Sequence, residues 1–92
     1  MATKDTFTTT TGNSYEFSFE TQPDGTIRPY ITRMPSYGSR DSNLHATHRR
    51  NDGRCYVCRD PQPRTMREAY NVAKAWTRRT DRYIRTGKRF DS

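Results

Sequence analysis

A chain of 92 residues is too short for a second independent core, so one domain spanning residues 1–92 is expected. Only 29% of the residues are hydrophobic, which makes the core thin, and eleven aromatics (four Phe, six Tyr and one Trp) must supply the area that the few Leu, Ile and Val do not. The net charge of +7 points to an anionic partner. No run approaches the ~18 apolar residues of a membrane span, and the Thr-rich start lacks the apolar stretch of a signal peptide, so a cytoplasmic protein without a membrane partner is expected.

Residues 6–11 read as a first β-rich strand, joined by a short Gly12-Asn13 turn to a second. In that second strand, residues 15–20, Tyr15, Phe17 and Phe19 alternate with Glu16, Ser18 and Glu20, the signature of a half-buried strand. Gln22-Pro23-Asp24-Gly25-Thr26 suits a type I turn with Gly left-handed, which closes a hairpin through a bulge. A three-residue loop of this kind sets Phe19 opposite Pro29 and Phe17 opposite Ile31, with Glu20 opposite Arg28 on the other face. Pro29 lacks an N–H, which makes its strand an edge or locally unpaired. Residues 35–42 form the longest loop, the expected mobile segment, with Tyr37 and Arg40 at its tips.

Residues 44–50, the turn Asn51-Asp52-Gly53 and residues 54–58 read as a second hairpin. After Pro61-Gln62-Pro63 comes Thr65-Met66-Arg67-Glu68, a capping box that opens a helix over about 65–86, stopped by Gly87. Met66, Ala69, Tyr70, Ala73, Trp76, Thr80, Tyr83 and Ile84 recur at three and four, one face for the sheet. The expected fold is α+β: an antiparallel sheet of four or five strands within residues 1–60, two hairpins plus an N-terminal strand, packed by one long C-terminal helix.

The charge is not spread evenly. Residues 1–43 carry four basic and five acidic groups, residues 44–63 four and two, and residues 64–92 nine and three. Such asymmetry repels itself in the compact state, and a polyanionic partner relieves it; a solvated basic surface that aids solubility is the plainer account. Opposite the apolar face of the helix stand Arg67, Lys74, Arg78, Arg82 and Arg85, flanked by Arg79, over roughly 27 Å at 1.5 Å per residue. Arginine predominates, and its planar fork suits phosphate, carboxylate and stacking contacts. These are the first candidates for partner or nucleic-acid binding, followed by Arg28, Arg33, Tyr37 and Arg40, and then by Arg49, Arg50 and Arg54. A merely solvated face competes with this reading. A membrane-surface helix competes poorly, because its apolar face is needed to cover the sheet.

His45, His48, Cys55 and Cys58 carry zinc-type ligands, but residues three apart on a strand point to opposite faces, which argues against a shared ion. A redox Cys-x-x-Cys opens a helix, whereas this one falls in an expected strand. A metal or redox role for the four stays open. There is no phosphate-binding Gly loop, nucleophile elbow or His-Glu-x-x-His, so neither an enzyme nor a cofactor or small-molecule substrate is expected.

The whole-chain pattern (MATKDTFTTTTGNSYEFSFETQPDGTIRPYI, RNDGRCYVC and TMREAYNVAKAWTRRTDRYIRTGKRF) resembles phage-encoded anti-CRISPR proteins, particularly small inhibitors of type I-F systems. The resemblance covers the general build of the chain and carries over no individual residue. It implies an inhibitor acting in the cytoplasm of a host bacterial cell, where it binds the crRNA-guided surveillance complex among its Cas subunits and near the guide RNA. Target DNA is then kept from pairing. The basic charge excludes a DNA mimic and suits direct contact with guide phosphates and acidic protein patches. The alternative is a general nucleic-acid-binding module or phage regulatory protein, although one long helix is not a helix-turn-helix.

Overall fold

The structure, a computed structural model, describes residues 2–90. Five strands, β1 (Ala2–Thr8), β2 (Ser14–Thr21), β3 (Ile27–Arg33), β4 (Arg49–Asn51) and β5 (Cys55–Val57), form an antiparallel sheet in the order β1-β2-β3-β5-β4, and one helix, α1 (Met66–Thr86), packs on it. This is the α+β arrangement expected from the sequence pattern.

The period-two alternation of β2 places Tyr15, Phe17 and Phe19 inward, each 0% exposed, against Ala69, Ala73 and Trp76 of α1. The β2–β3 register is the one the face rule demands: Phe19 opposite Pro29, Phe17 opposite Ile31 and Glu20 opposite Arg28. Gly25 at φ 85° closes the turn, with the Gln22 N–H donating to Thr26 O at 2.7 Å. Although β3 is interior in the strand order, it meets β5 through a single pair, Tyr30 with Tyr56. Pro29, which has no amide hydrogen to offer a ladder, sits beside that thin junction.

Two boundaries differ from expectation. The first strand runs over Ala2–Thr8 rather than residues 6–11: β1 pairs along its whole length with β2, and the chain turns at Thr9, whose N–H donates to Asn13 O at 2.8 Å. Residues 44–48 are a turn, not strand. Asn43 causes this by acting as a cap, its Oδ1 accepting from Ala46 N at 2.9 Å and its carbonyl from Thr47 N at 3.1 Å. His48 then reverses the chain at φ 52°, leaving three residues for β4.

In α1 half of the expected capping box forms: Thr65 Oγ1 accepts from Glu68 N at 3.1 Å, while the Glu68 carboxylate accepts from the Thr65 hydroxyl at 3.3 Å rather than from its N–H. At the other end Gly87 adopts φ 78° and its N–H donates to Tyr83 O at 2.8 Å, closing the helix with a left-handed residue. The loop over residues 35–42, expected to be mobile, is stitched to this helix end. Arg40 Nε donates to Ile84 O at 3.2 Å, Tyr83 OH donates to Asp41 O at 2.7 Å, and the Tyr37 ring packs edge-on against Tyr83.

Candidate partner-binding surface

Helical geometry carries Arg67, Lys74, Arg78 and Arg85 to the solvent in a stripe one side-chain wide, all four exposed. Arg82 lies beside the stripe, half-buried, with its Nε buried and unpartnered. Arg79 lies further round the helix on the same side as Arg82, near His48, Cys58 and Phe90. Among the described residues the ion pairs are Arg28–Asp52 and Arg54–Glu20, so no carboxylate neutralises any of these helix cations.

The cations of the sheet are employed differently. Side chains alternating with the core of β2 and β3 form the outer sheet face, away from α1. There Arg54 forks onto both Glu20 oxygens at 2.8 Å and lies 3.8 Å over the Tyr30 ring, while Arg28 pairs with Asp52 and lies 4.6 Å over Tyr56. Tyr30 OH also donates to Asp52. The Arg54 hydrogen bonds hold the Glu20 carboxyl down at about 2, and the Tyr30 and Arg28 hydrogen bonds lower that of Asp52. Arg28 and Arg54 therefore lock the sheet face, and their charges are spent inside the molecule.

Of the remaining sequence-derived candidates, Arg40 caps the helix, and Arg49 donates to Ser42 O at 2.7 Å and sits 4.9 Å over Tyr37. Tyr37 and Arg40 are thus turned inward rather than standing as tips. Arg33 is exposed at the end of β3, and Arg50 is exposed with its Nε 3.2 Å from Cys58 Sγ. Cys55 instead faces Asn51 and Arg49 across β4. Both thiols are free, and among the described residues no three His, Cys, Asp or Glu side chains gather as a metal set. The thirteen candidates do not form one patch. The helix stripe is a continuous exposed surface, whereas Arg28, Arg54, Arg40, Arg49 and Tyr37 are structural.

Sequence reasoning passed over a cleft of about 460 Å³ between the β1–β2 turn and the helix stripe, bordered by Phe7, Thr10, Lys74, Thr77, Arg78 and Arg85. Its floor is set by Asp81, only 6% exposed, which accepts from Thr11 at 2.7 Å, Asn13 at 2.9 Å and Tyr15 OH at 3.0 Å. Burial works to raise the Asp81 pKa, but those hydrogen bonds outweigh it and hold the carboxyl below its ordinary value. Burial and the Asp81 charge push the Tyr15 phenol in the other direction, well above its ordinary value. One acidic residue inside an otherwise cationic helix end, with a Thr-Gly-Asn turn far upstream, was the available signal for this contact.

Comparison with protein-family models, with curated proteins and with solved structures gives no match. Among the described residues no helix is long and apolar enough to cross a membrane.

Proposed function

We propose that this chain is a non-enzymatic inhibitor of the anti-CRISPR kind, which binds a type I-F crRNA-guided surveillance complex on exposed guide-RNA phosphates and the adjoining Cas surface, and so blocks target DNA from hybridising. The observation that carries the reading is the division of charge. Asp52 and Glu20 are paired with sheet arginines and Asp81 is held by hydrogen bonds from the β1–β2 turn, while Arg67, Lys74, Arg78 and Arg85 stand exposed along one face with no ion pair among the described residues. Such a stripe matches a short polyanion, and unpaired arginines bind phosphate with little desolvation of a prior partner.

The test is capture of an assembled surveillance complex by the purified full chain, beside gel shifts with free guide RNA and free duplex DNA. Retention on the complex, weakened at least tenfold in Arg67→Glu with Arg78→Glu, is expected. Both positions are exposed, so the double variant should fold. A salt-sensitive shift of free nucleic acid without retention would replace the inhibitor by a general nucleic-acid-binding module. Retention unaffected by charge reversal would remove the helix stripe from the account.

A further inference from the structure

The cleft beside the stripe holds groups for which the fold has no use. Thr77 is 2% exposed and its Oγ1 has no hydrogen-bond partner, yet the residue lines the cleft. A helical threonine can return its hydroxyl to the carbonyl four residues back; this one does not. Thr80, one turn nearer the core, is also buried with an orphan hydroxyl but does not line the cleft, which makes it an internal control. Lys74, Arg78 and Arg85 stand over the opening, and the single acid at its floor, Asp81, has its oxygens engaged by Thr11, Asn13 and Tyr15. Three cations against one committed carboxylate leave the cleft positive. Phe7 adds an apolar wall and Thr10 a hydroxyl on the opposite side.

We infer that this cleft is a phosphate subsite, in which Lys74, Arg78 and Arg85 supply charge and the Thr77 and Thr10 hydroxyls donate hydrogen bonds to a phosphate group of a nucleic-acid backbone. At about 460 Å³ the cleft exceeds a lone phosphate and accommodates a nucleotide-sized segment. Phe7 provides the face on which a ribose or base rests. An acidic peptide would satisfy the cations, but it would give the ring no flat partner. The inference rests on the proposed function only for the source of the phosphate.

The test titrates the full chain, followed by amide NMR at constant ionic strength, with inorganic phosphate and separately with a short single-stranded RNA. Both should produce saturable shifts at Thr10 and Thr77. Thr77→Val, which removes an orphan hydroxyl at constant shape, should preserve the melting temperature and weaken both ligands about tenfold, whereas Thr80→Val should leave both unchanged. Lys74→Gln should lower the RNA salt slope by about 0.7. Equal affinities in Thr77→Val and wild type, or no saturable binding of either ligand, would overturn the subsite. A phosphate response with RNA affinity insensitive to Thr77→Val would overturn the nucleic-acid source in favour of free phosphate. Surveillance-complex capture that survives in Thr77→Val and Lys74→Gln overturns the guide as the source of the phosphate and leaves the inhibitor reading intact; phosphate binding without capture overturns the inhibitor reading and leaves the subsite.

Discussion

Asp81 joins two segments that are far apart in sequence. Its carboxylate accepts from the side chains of Thr11, Asn13 and Tyr15, and so ties the β1–β2 turn and the start of β2 to the C-terminal part of α1. Asp81→Ala would strand a buried phenol and release the turn, and a loss of about 2–4 kcal/mol is expected from urea denaturation. A lone acid in an otherwise cationic helix end marks the contact in the sequence, but nothing there names its partners, which lie 66 to 70 residues away. Sequence separation also hid the roles of Tyr37 and Arg40, which read as exposed tips although the end of α1, more than 40 residues on, receives them. Glu20 makes the matching prediction for pH. Its carboxyl falls from an ordinary 4.5 to about 2 because Arg54 donates to it, so the pair stabilises the fold fully above the unfolded value and loses that contribution as pH falls from about 4.5 toward 2. Arg54 is 56% exposed, so solvent screens the pair and keeps the effect small. Chemical denaturation of Glu20→Gln beside wild type should therefore show a small gap at neutral pH that closes in acid; a gap that widens in acid would contradict the assignment.

The elements whose rules are local were legible, and those whose ends depend on a distant partner were not. Strict alternation in β2 and the Pro-Asp-Gly turn set the register of the β2–β3 hairpin from the turn as far as Phe17 opposite Ile31, beyond which a bulge, unmarked in the sequence, puts Glu16 opposite Arg33. The capping box and Gly87 likewise marked the ends of α1. The second hairpin failed at its first half because Asn43 looks the same at the end of a loop as at the start of a helical turn, and only the turn lets Thr47 O accept from buried Trp76 Nε1 at 3.0 Å. At the C-terminus of α1 a second requirement is added to the left-handed φ of Gly87: a Cβ there would come within 2.8 Å of Arg40 Nη1. Gly87→Ala should thus cost more than backbone strain alone, about 1–2 kcal/mol, because it displaces the Arg40 cap as well. Thermal melts of Gly87→Ala, Arg40→Ala and the double variant would measure this. The two losses should be less than additive, since the first already removes part of what the second removes; full additivity would show that the cap and the glycine act separately.

At the scale of the molecule, the ion pairs among the described residues lie on the sheet, and the exposed cations of α1 lie elsewhere. The outer sheet face is internally neutralised by its two ion pairs, so Arg28→Gln or Arg54→Gln should lower stability while leaving partner capture near wild type. The helix stripe has the opposite economy, since Lys74, Arg78 and Arg85 lie within a few turns of one another with no described carboxylate in ion-pair reach. Like charges so placed repel, and the repulsion is screened once salt shortens the Debye length from ~10 Å at 0.1 M to ~3 Å at 1 M. Arg78→Gln with Arg85→Gln should therefore raise the melting temperature at low salt by a few degrees, with the difference vanishing near ~1 M salt, while binding to the anionic partner collapses. A stripe kept for structure would behave differently, losing stability on neutralisation at every salt concentration. Melting curves across a salt series, run beside the capture assay, separate the two: stability gained where binding is lost means the stripe is held against its own repulsion for the sake of a partner.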